Sequence, residues 1–216
     1  MEIGGIEPFT LTDFPGKVAA VIFLRGCNFS CPFCHNSSLI SKTSGHLSST
    51  SESSDIPGVK GDNQSGLESG SIEQCLEFLQ GRRGRLQGVV ISGGEPTIHG
   101  DLSDLLQEIK EMDFAVKLDT NGSQPDHLLK LIEKGLLDFI AMDIKAPWHK
   151  YDQLSGVKTD ISRIKRSMQI ITESGLPHLF RTTMVPDLLD QEDIQEITLL
   201  IPEGSPYKVQ PYRDPS

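Results

Sequence analysis

From Ile72 onward the sequence switches between two periodicities with a regularity that leaves few folds open. Short apolar runs at Gly88–Ser92, Ala115–Thr120, Phe139–Ile144, His178–Thr183 and Tyr207–Gln210 read as strands. Between and before them, apolar residues recur at helical spacing over 72–80, 101–112, 125–134, 160–174 and 190–201. The segment 101–112 shows this well, with Leu102, Leu105, Leu106, Ile109 and Met112 on one stripe. Asp190 is placed to cap the last helix, and Gly175 to end the one before it. A further run, Val18 to Leu24, supplies the first strand, after a lead-in over residues 1–17 whose DFPGK (Asp13–Lys17) makes a Pro-Gly turn. Six strands separated by helices require a parallel sheet with right-handed crossovers. The pattern fits an open doubly wound sheet and a curved barrel fragment equally. In either, chemistry belongs at the C-terminal ends of the strands.

The stretch that leaves the first strand is the most unusual. In LRGCNFSCPFCHN, Leu24 to Asn36, three cysteines stand in a C-x3-C-x2-C spacing: Cys27, Cys31 and Cys34. Thiolates this close can converge on one soft metal centre, and three ligands leave a position open for a substrate. A disulfide framework does not suit four cysteines in 216 residues with three of them clustered. Structural zinc with His35 as fourth ligand is the stronger alternative, although neighbours such as Cys34 and His35 rarely point at one ion. An electron-transfer cluster needs a fourth cysteine. The remaining one, Cys75, lies in SIEQCLEFLQ among Leu76, Phe78 and Leu79 and reads as a small core residue.

Composition narrows the setting. The net charge of −10, with no offsetting Lys/Arg cluster, argues against a nucleic-acid surface. The start lacks the basic region and apolar core of a signal peptide, and no apolar run approaches the roughly 18 residues of a membrane span. A soluble chain in the reducing cytoplasm is the expectation. Residues 41–71 depart from the rest, with ten serines and five glycines among 31 positions and no aromatic residue. Such a segment buries too little apolar area to offset its ordering entropy and reads as a mobile surface insertion in a single domain.

C-x3-C-x2-C with the aromatic Phe33 before its third cysteine resembles the signature of radical S-adenosylmethionine enzymes. Four further matches follow in chain order: GGEP at Gly93–Pro96, LDTNG at Leu118–Gly122, MDIKAP at Met142–Pro147 and FRTTMVP at Phe180–Pro186. The set most resembles the activating proteins of anaerobic ribonucleoside-triphosphate reductase, among the glycyl-radical-enzyme activases. The resemblance implies a partial (βα)6 barrel, open at one side. It implies a [4Fe-4S] cluster on Cys27, Cys31 and Cys34 whose unligated iron holds S-adenosylmethionine through its amino and carboxylate groups. One electron would then split the S–C5′ bond into methionine and a 5′-deoxyadenosyl radical. The radical would take a hydrogen atom from a glycine of the reductase. A flavodoxin- or ferredoxin-like protein would donate the electron.

Residue by residue, the resemblance assigns Gly93, Gly94 and Glu95 to the methionyl amino end, with the glycines allowing close backbone approach. The backbone at Phe33 and His35 meets the adenine. Asp119, Thr120 and Asn121 end one strand, within reach of ribose hydroxyls or an ion. Asp143 and Lys145 end the next, on one face. Asp119 and Asp143 would hold a monovalent cation near the ligand carboxylate. Arg181 would pair with a carboxylate or stack near the adenine, with an internal salt bridge as the alternative. Asp13 is either a contact for the protein substrate or a turn residue. His99, His127, His149 and His178 show no ligand spacing. Two other readings remain: an activase of another glycyl-radical enzyme or a radical enzyme on a small molecule, and a zinc or iron–sulfur module that acts by interaction.

Overall fold

A computed structural model describes residues 1–40 and 70–212. The expected insertion at 41–71 lies almost wholly outside the described residues. A single seven-stranded sheet runs in chain order: β1 (Ile3–Thr10), β2 (Ala19–Leu24), β3 (Gly88–Gly93), β4 (Ala115–Thr120), β5 (Phe139–Asp143), β6 (His178–Met184) and β7 (Tyr207–Pro211). From β2 to β7 every pairing is parallel. The sheet is not closed, since β1 and β7 form its two edges. The six parallel strands are those read from the sequence, so the α/β fold stands as expected.

β1 was not expected. It pairs antiparallel with β2 and covers that edge. Its sequence, IGGIEPFT, carries two glycines and a proline, which read as turn rather than strand. On an edge, Pro8 withholds an N–H that no neighbour requires, and the register shifts between Glu7 and Thr10 where it sits.

Alternation along the strands divides the side chains into two layers. One face, with Ala20, Ile22, Leu24, Val89, Ile91, Val116, Leu118, Ile140 and Phe180, packs beneath the helices. These are α1 (Ile72–Gln80), α2 (Leu102–Glu111), α3 (Pro125–Glu133), α4 (Tyr151–Ser155), α5 (Ile161–Glu173) and α6 (Gln191–Leu200). The helix ends follow the cap chemistry: the Asp193 amide donates to the Asp190 carboxylate at 2.9 Å, and Gly175 takes φ +71° just past α5. The other sheet face turns into the concave interior. There Ala19, Val21 and Val90 close on Phe14 from the DFPGK turn, and the Phe14 ring stands 6.1 Å from that of Phe139. This plug fills one end of the interior with apolar side chains and leaves the strand C-terminal end for polar ones. Among the described residues no helix is long and apolar enough to cross a membrane.

Candidate active site

The loop after β2 carries the three cysteines and is tied down at several points. Phe29 and Phe33 are buried in the core on the helix side of the sheet. The Ser30 amide donates to the Ser155 carbonyl of α4 at 2.8 Å, and a Cβ on Gly156 would lie 2.0 Å from the Ser30 carbonyl oxygen. Gly156, in the left-handed region at φ +71°, is therefore what lets α4 end flush against the loop. Asn28 donates to Ser123 Oγ at 2.8 Å and accepts from Asn121 Nδ2 at 3.0 Å. Asn36 Nδ2 donates to the Gly93 carbonyl at 3.2 Å, and His99 Nε2 donates to the Arg25 carbonyl at 2.8 Å. Of these anchors Phe33, Asn121 and Gly93 were expected site residues, whereas Asn28, Phe29, Ser30, Asn36, Ser123, Ser155 and Gly156 were not singled out from the sequence. Their signal is local only: short polar side chains beside a motif.

Gly93 and Gly94 form a shelf against the start of the cysteine loop. The Gly94 amide donates to the Leu24 carbonyl and the Glu95 amide to the Gly26 carbonyl, each at 2.9 Å. A Cβ on Gly94 would fall 1.8 Å from the Gly26 oxygen, and one on Gly93, where φ is +115°, would fall 2.3 Å from the Leu24 nitrogen. The glycines are required by backbone packing on the loop itself, a constraint separate from the approach of a ligand.

Glu95 is 1% exposed and fully engaged by protein donors. Its Oε1 accepts from the Thr97 amide at 3.1 Å, the Thr97 hydroxyl, and the Thr120 hydroxyl at 2.7 Å. Its Oε2 accepts from the Asn121 amide at 2.6 Å. Burial pushes its carboxyl up from the usual range, opposed by these bonds. The expected acceptor of an ammonium group is thus also a strut that pins the ends of β3 and β4 together.

Below the shelf, charged side chains alternate along the concave face. Lys117, 3% exposed, donates to Asp119. The other Asp119 oxygen receives Ser92 Oγ at 3.3 Å and Arg181 Nη1 at 3.4 Å. Arg181 Nε donates to Asp143 Oδ1 at 2.9 Å, and Lys145 Nζ donates to Asp143 Oδ2 at 3.1 Å. Asp143 and Arg181 are register partners on β5 and β6. Burial raises the Asp143 carboxyl, but Arg181 and Lys145 outweigh it and hold the group at about 2. Burial disfavours the Lys145 and Arg181 cations, and the facing aspartates more than restore them. Arg181 thus donates to both Asp119 and Asp143, the two acids expected to hold a monovalent cation. Of the two roles weighed for Arg181, the internal salt bridge is the one observed. Lys117 was missed, although a lysine inside the apolar strand AVKLDT and two residues before Asp119 was a readable signal.

One cavity of about 310 Å3 gathers these elements. It is lined by Cys27, Cys31 and Cys34, by Phe33 and His35, by Gly93, Gly94 and Glu95, by Asp119, Thr120 and Asn121, and by Asp143, Lys145 and Arg181. Every expected site residue therefore faces one space. Asp13, Ser92, Thr183 and Gln210 line it as well. Asp13 reaches it from the turn before β2, where its carboxylate accepts from Thr10 Oγ1. His35 is exposed, and its ring lies 5.3 Å from that of Tyr212 beyond β7.

The donor set suits an iron–sulfur cluster with one open corner. All three cysteines are free thiols, and the fourth, Cys75, is buried in α1 away from the cavity. Burial pushes the Cys27 thiol up to about 11 and that of Cys31 upward too, so metal bonding must supply the thiolate state. Among the described residues no three His, Cys, Asp or Glu side chains converge on a point that would hold a single ion. A tetrahedral zinc requires sulfurs about 2.3 Å from one centre, whereas a cluster offers each thiolate its own iron.

Residues 21–201 match the Radical SAM superfamily. The chain belongs to that superfamily, whose members carry a [4Fe-4S] cluster and use S-adenosylmethionine. Over 97% of its length it is 32% identical to MJ1227 of Methanocaldococcus jannaschii, a protein assigned as a glycyl-radical enzyme activating enzyme, and covers 79% of that protein. It is 25% identical to the pyruvate formate-lyase-activating enzyme of Clostridium pasteurianum, across 92% of this chain and 75% of the relative. Within the superfamily it falls in the glycyl-radical enzyme activating family. The fold also matches Streptococcus suis SuiB bound to S-adenosylmethionine, with TM-score 0.58 and 16% identity over 90% of this chain, which spans 40% of SuiB.

Proposed function

We propose that the protein activates an anaerobic ribonucleoside-triphosphate reductase by taking a hydrogen atom from one of its backbone glycines. The observation that carries this reading is the single cavity in which the three cysteines meet the ends of β3, β4 and β5 and extend to Gln210 on the open edge strand. A glycine held on a protein loop can be offered to a site that opens at a sheet edge. Cytoplasmic location and a flavodoxin- or ferredoxin-like donor belong to the same reading.

Each residue has a task in it. Cys27, Cys31 and Cys34 hold the cluster, which supplies the electron that splits S-adenosylmethionine into methionine and a group able to accept the glycine hydrogen. The Gly93–Gly94 shelf keeps the cysteine loop at a fixed distance from the strand ends. Glu95 fixes Thr120 and Asn121 where a ribose and a methionyl group would lie. Lys145 and Arg181 balance a ligand carboxylate. Phe29 and Phe33 close the floor of the loop to water, a requirement for chemistry that any nearby C–H bond would quench.

Mixing the reduced, reconstituted protein with S-adenosylmethionine and the reductase is expected to give a glycyl doublet by electron paramagnetic resonance. Formation of 5′-deoxyadenosine without that doublet would overturn the reductase as substrate. A doublet on pyruvate formate-lyase instead would move the assignment to the substrate named for the C. pasteurianum relative.

A further inference from the structure

We infer that Arg181 replaces a monovalent cation in this protein, bridging Asp119 and Asp143 so that S-adenosylmethionine binds without potassium or sodium. The inference rests on the assignment of the cavity to S-adenosylmethionine and not on which protein is activated.

Three features carry it. First, the guanidinium lies between the two carboxylates, 2.9 Å from Asp143 Oδ1 through Nε and 3.4 Å from Asp119 Oδ2 through Nη1. Second, the outer oxygens are taken as well, by Lys117 on Asp119 and by Lys145 at 3.1 Å on Asp143. All four carboxylate oxygens thus already receive a cationic donor, and an added ion would have to share every oxygen it bridged with one of them. Third, the charges of this group are three positive (Lys117, Lys145, Arg181) and two negative (Asp119, Asp143), leaving one net positive charge. A further cation is attracted less there than by a bare pair of carboxylates. The remaining acids along the cavity have their own partners: Glu95 is held by Thr97, Thr120 and Asn121, and Asp13 by Thr10.

Side-chain stiffness favours the arrangement. Arg181 is 14% exposed, its backbone is fixed between β5 and β7, and its planar fork meets both acids at once. Held this way, Arg181 positions the two aspartates. It is a positioning residue.

The test compares equilibrium binding of S-adenosylmethionine to the reconstituted protein in potassium, sodium and choline chloride at equal ionic strength. The wild type is expected to bind equally in all three. R181Q removes the bridging charge but keeps a polar side chain, and potassium is expected to tighten its binding by about fivefold or more over choline. R181K restores a charge and is expected to regain indifference. Overturning results are a potassium preference of that size in the wild type, or indifference in R181Q. Thallium-soaked wild-type crystals give a check that needs no variant. The expected result is no anomalous peak between Asp119 and Asp143, and a peak bonded to both would overturn the inference. Failure to bind S-adenosylmethionine in any salt would be a different result, removing the cavity assignment as well.

Discussion

Gly94→Ala is expected to destabilise the protein by about 3 kcal/mol or more and to abolish cluster incorporation. The new Cβ would sit 1.8 Å from the Gly26 carbonyl oxygen, 2.5 Å from its carbon and 3.2 Å from the Cys27 nitrogen. All three are backbone atoms, so no rotamer change relieves the clash. Relief requires the cysteine loop to move off the β3 shelf. That breaks the bond from the Glu95 amide to the Gly26 carbonyl and displaces Cys27, the next residue. Gly100→Ala is the control, since nothing lies within 4 Å of its added carbon. Its effect should stay within about 0.5 kcal/mol. Urea unfolding followed by circular dichroism measures both, and absorbance after reconstitution measures the cluster. A Gly94→Ala protein as stable as Gly100→Ala would show that the shelf does not set the loop's position.

The second large effect is expected at Glu95. Truncation to alanine strands the Thr97 and Asn121 amides in a closed interior, each costing about 1–3 kcal/mol, and releases two hydroxyls besides. A loss of about 4 kcal/mol is expected. Glu95→Gln keeps one oxygen for Thr97 and Thr120 but presents an NH2 group to the Asn121 N–H, and should lose about 2 kcal/mol. That graded series distinguishes a strut from a pure ligand contact. A residue that only met the ligand would lose affinity for S-adenosylmethionine in both variants and little stability in either.

These two residues show what the sequence could and could not convey. Periodicity alone located α2, whose Leu102, Leu105, Leu106 and Ile109 are all buried, and the five strands that follow the 41–71 stretch. Residue spacing located the cavity, because motifs at successive strand ends must meet in a parallel sheet. The partners of each motif were less legible. Glu95 could be assigned to a ligand from its place after two glycines, but its bonds to Thr120 and Asn121 join residues far apart in the chain. Arg181 could be placed on its strand, yet only the register of β5 against β6 sets it beside Asp143 and within reach of Asp119. β1 was hidden for a different reason: an edge strand tolerates glycine and proline that a central strand would reject.

The site's geometry also separates two kinds of demand on one loop. The cysteines need some freedom to bond metal, and all three remain partly exposed. Their neighbours Phe29 and Phe33 are buried, and Ser30 is fastened to α4, so the freedom is confined to the thiols. Anchors on both sides of each ligand are what a preorganised cluster site requires.

Anaerobic reconstitution of the wild type, with iron, zinc and 5′-deoxyadenosine measured in one preparation, tests the central claim most directly. The account predicts a brown protein carrying a [4Fe-4S] cluster that releases 5′-deoxyadenosine from S-adenosylmethionine once reduced. A colourless, zinc-loaded protein that leaves S-adenosylmethionine intact would contradict it.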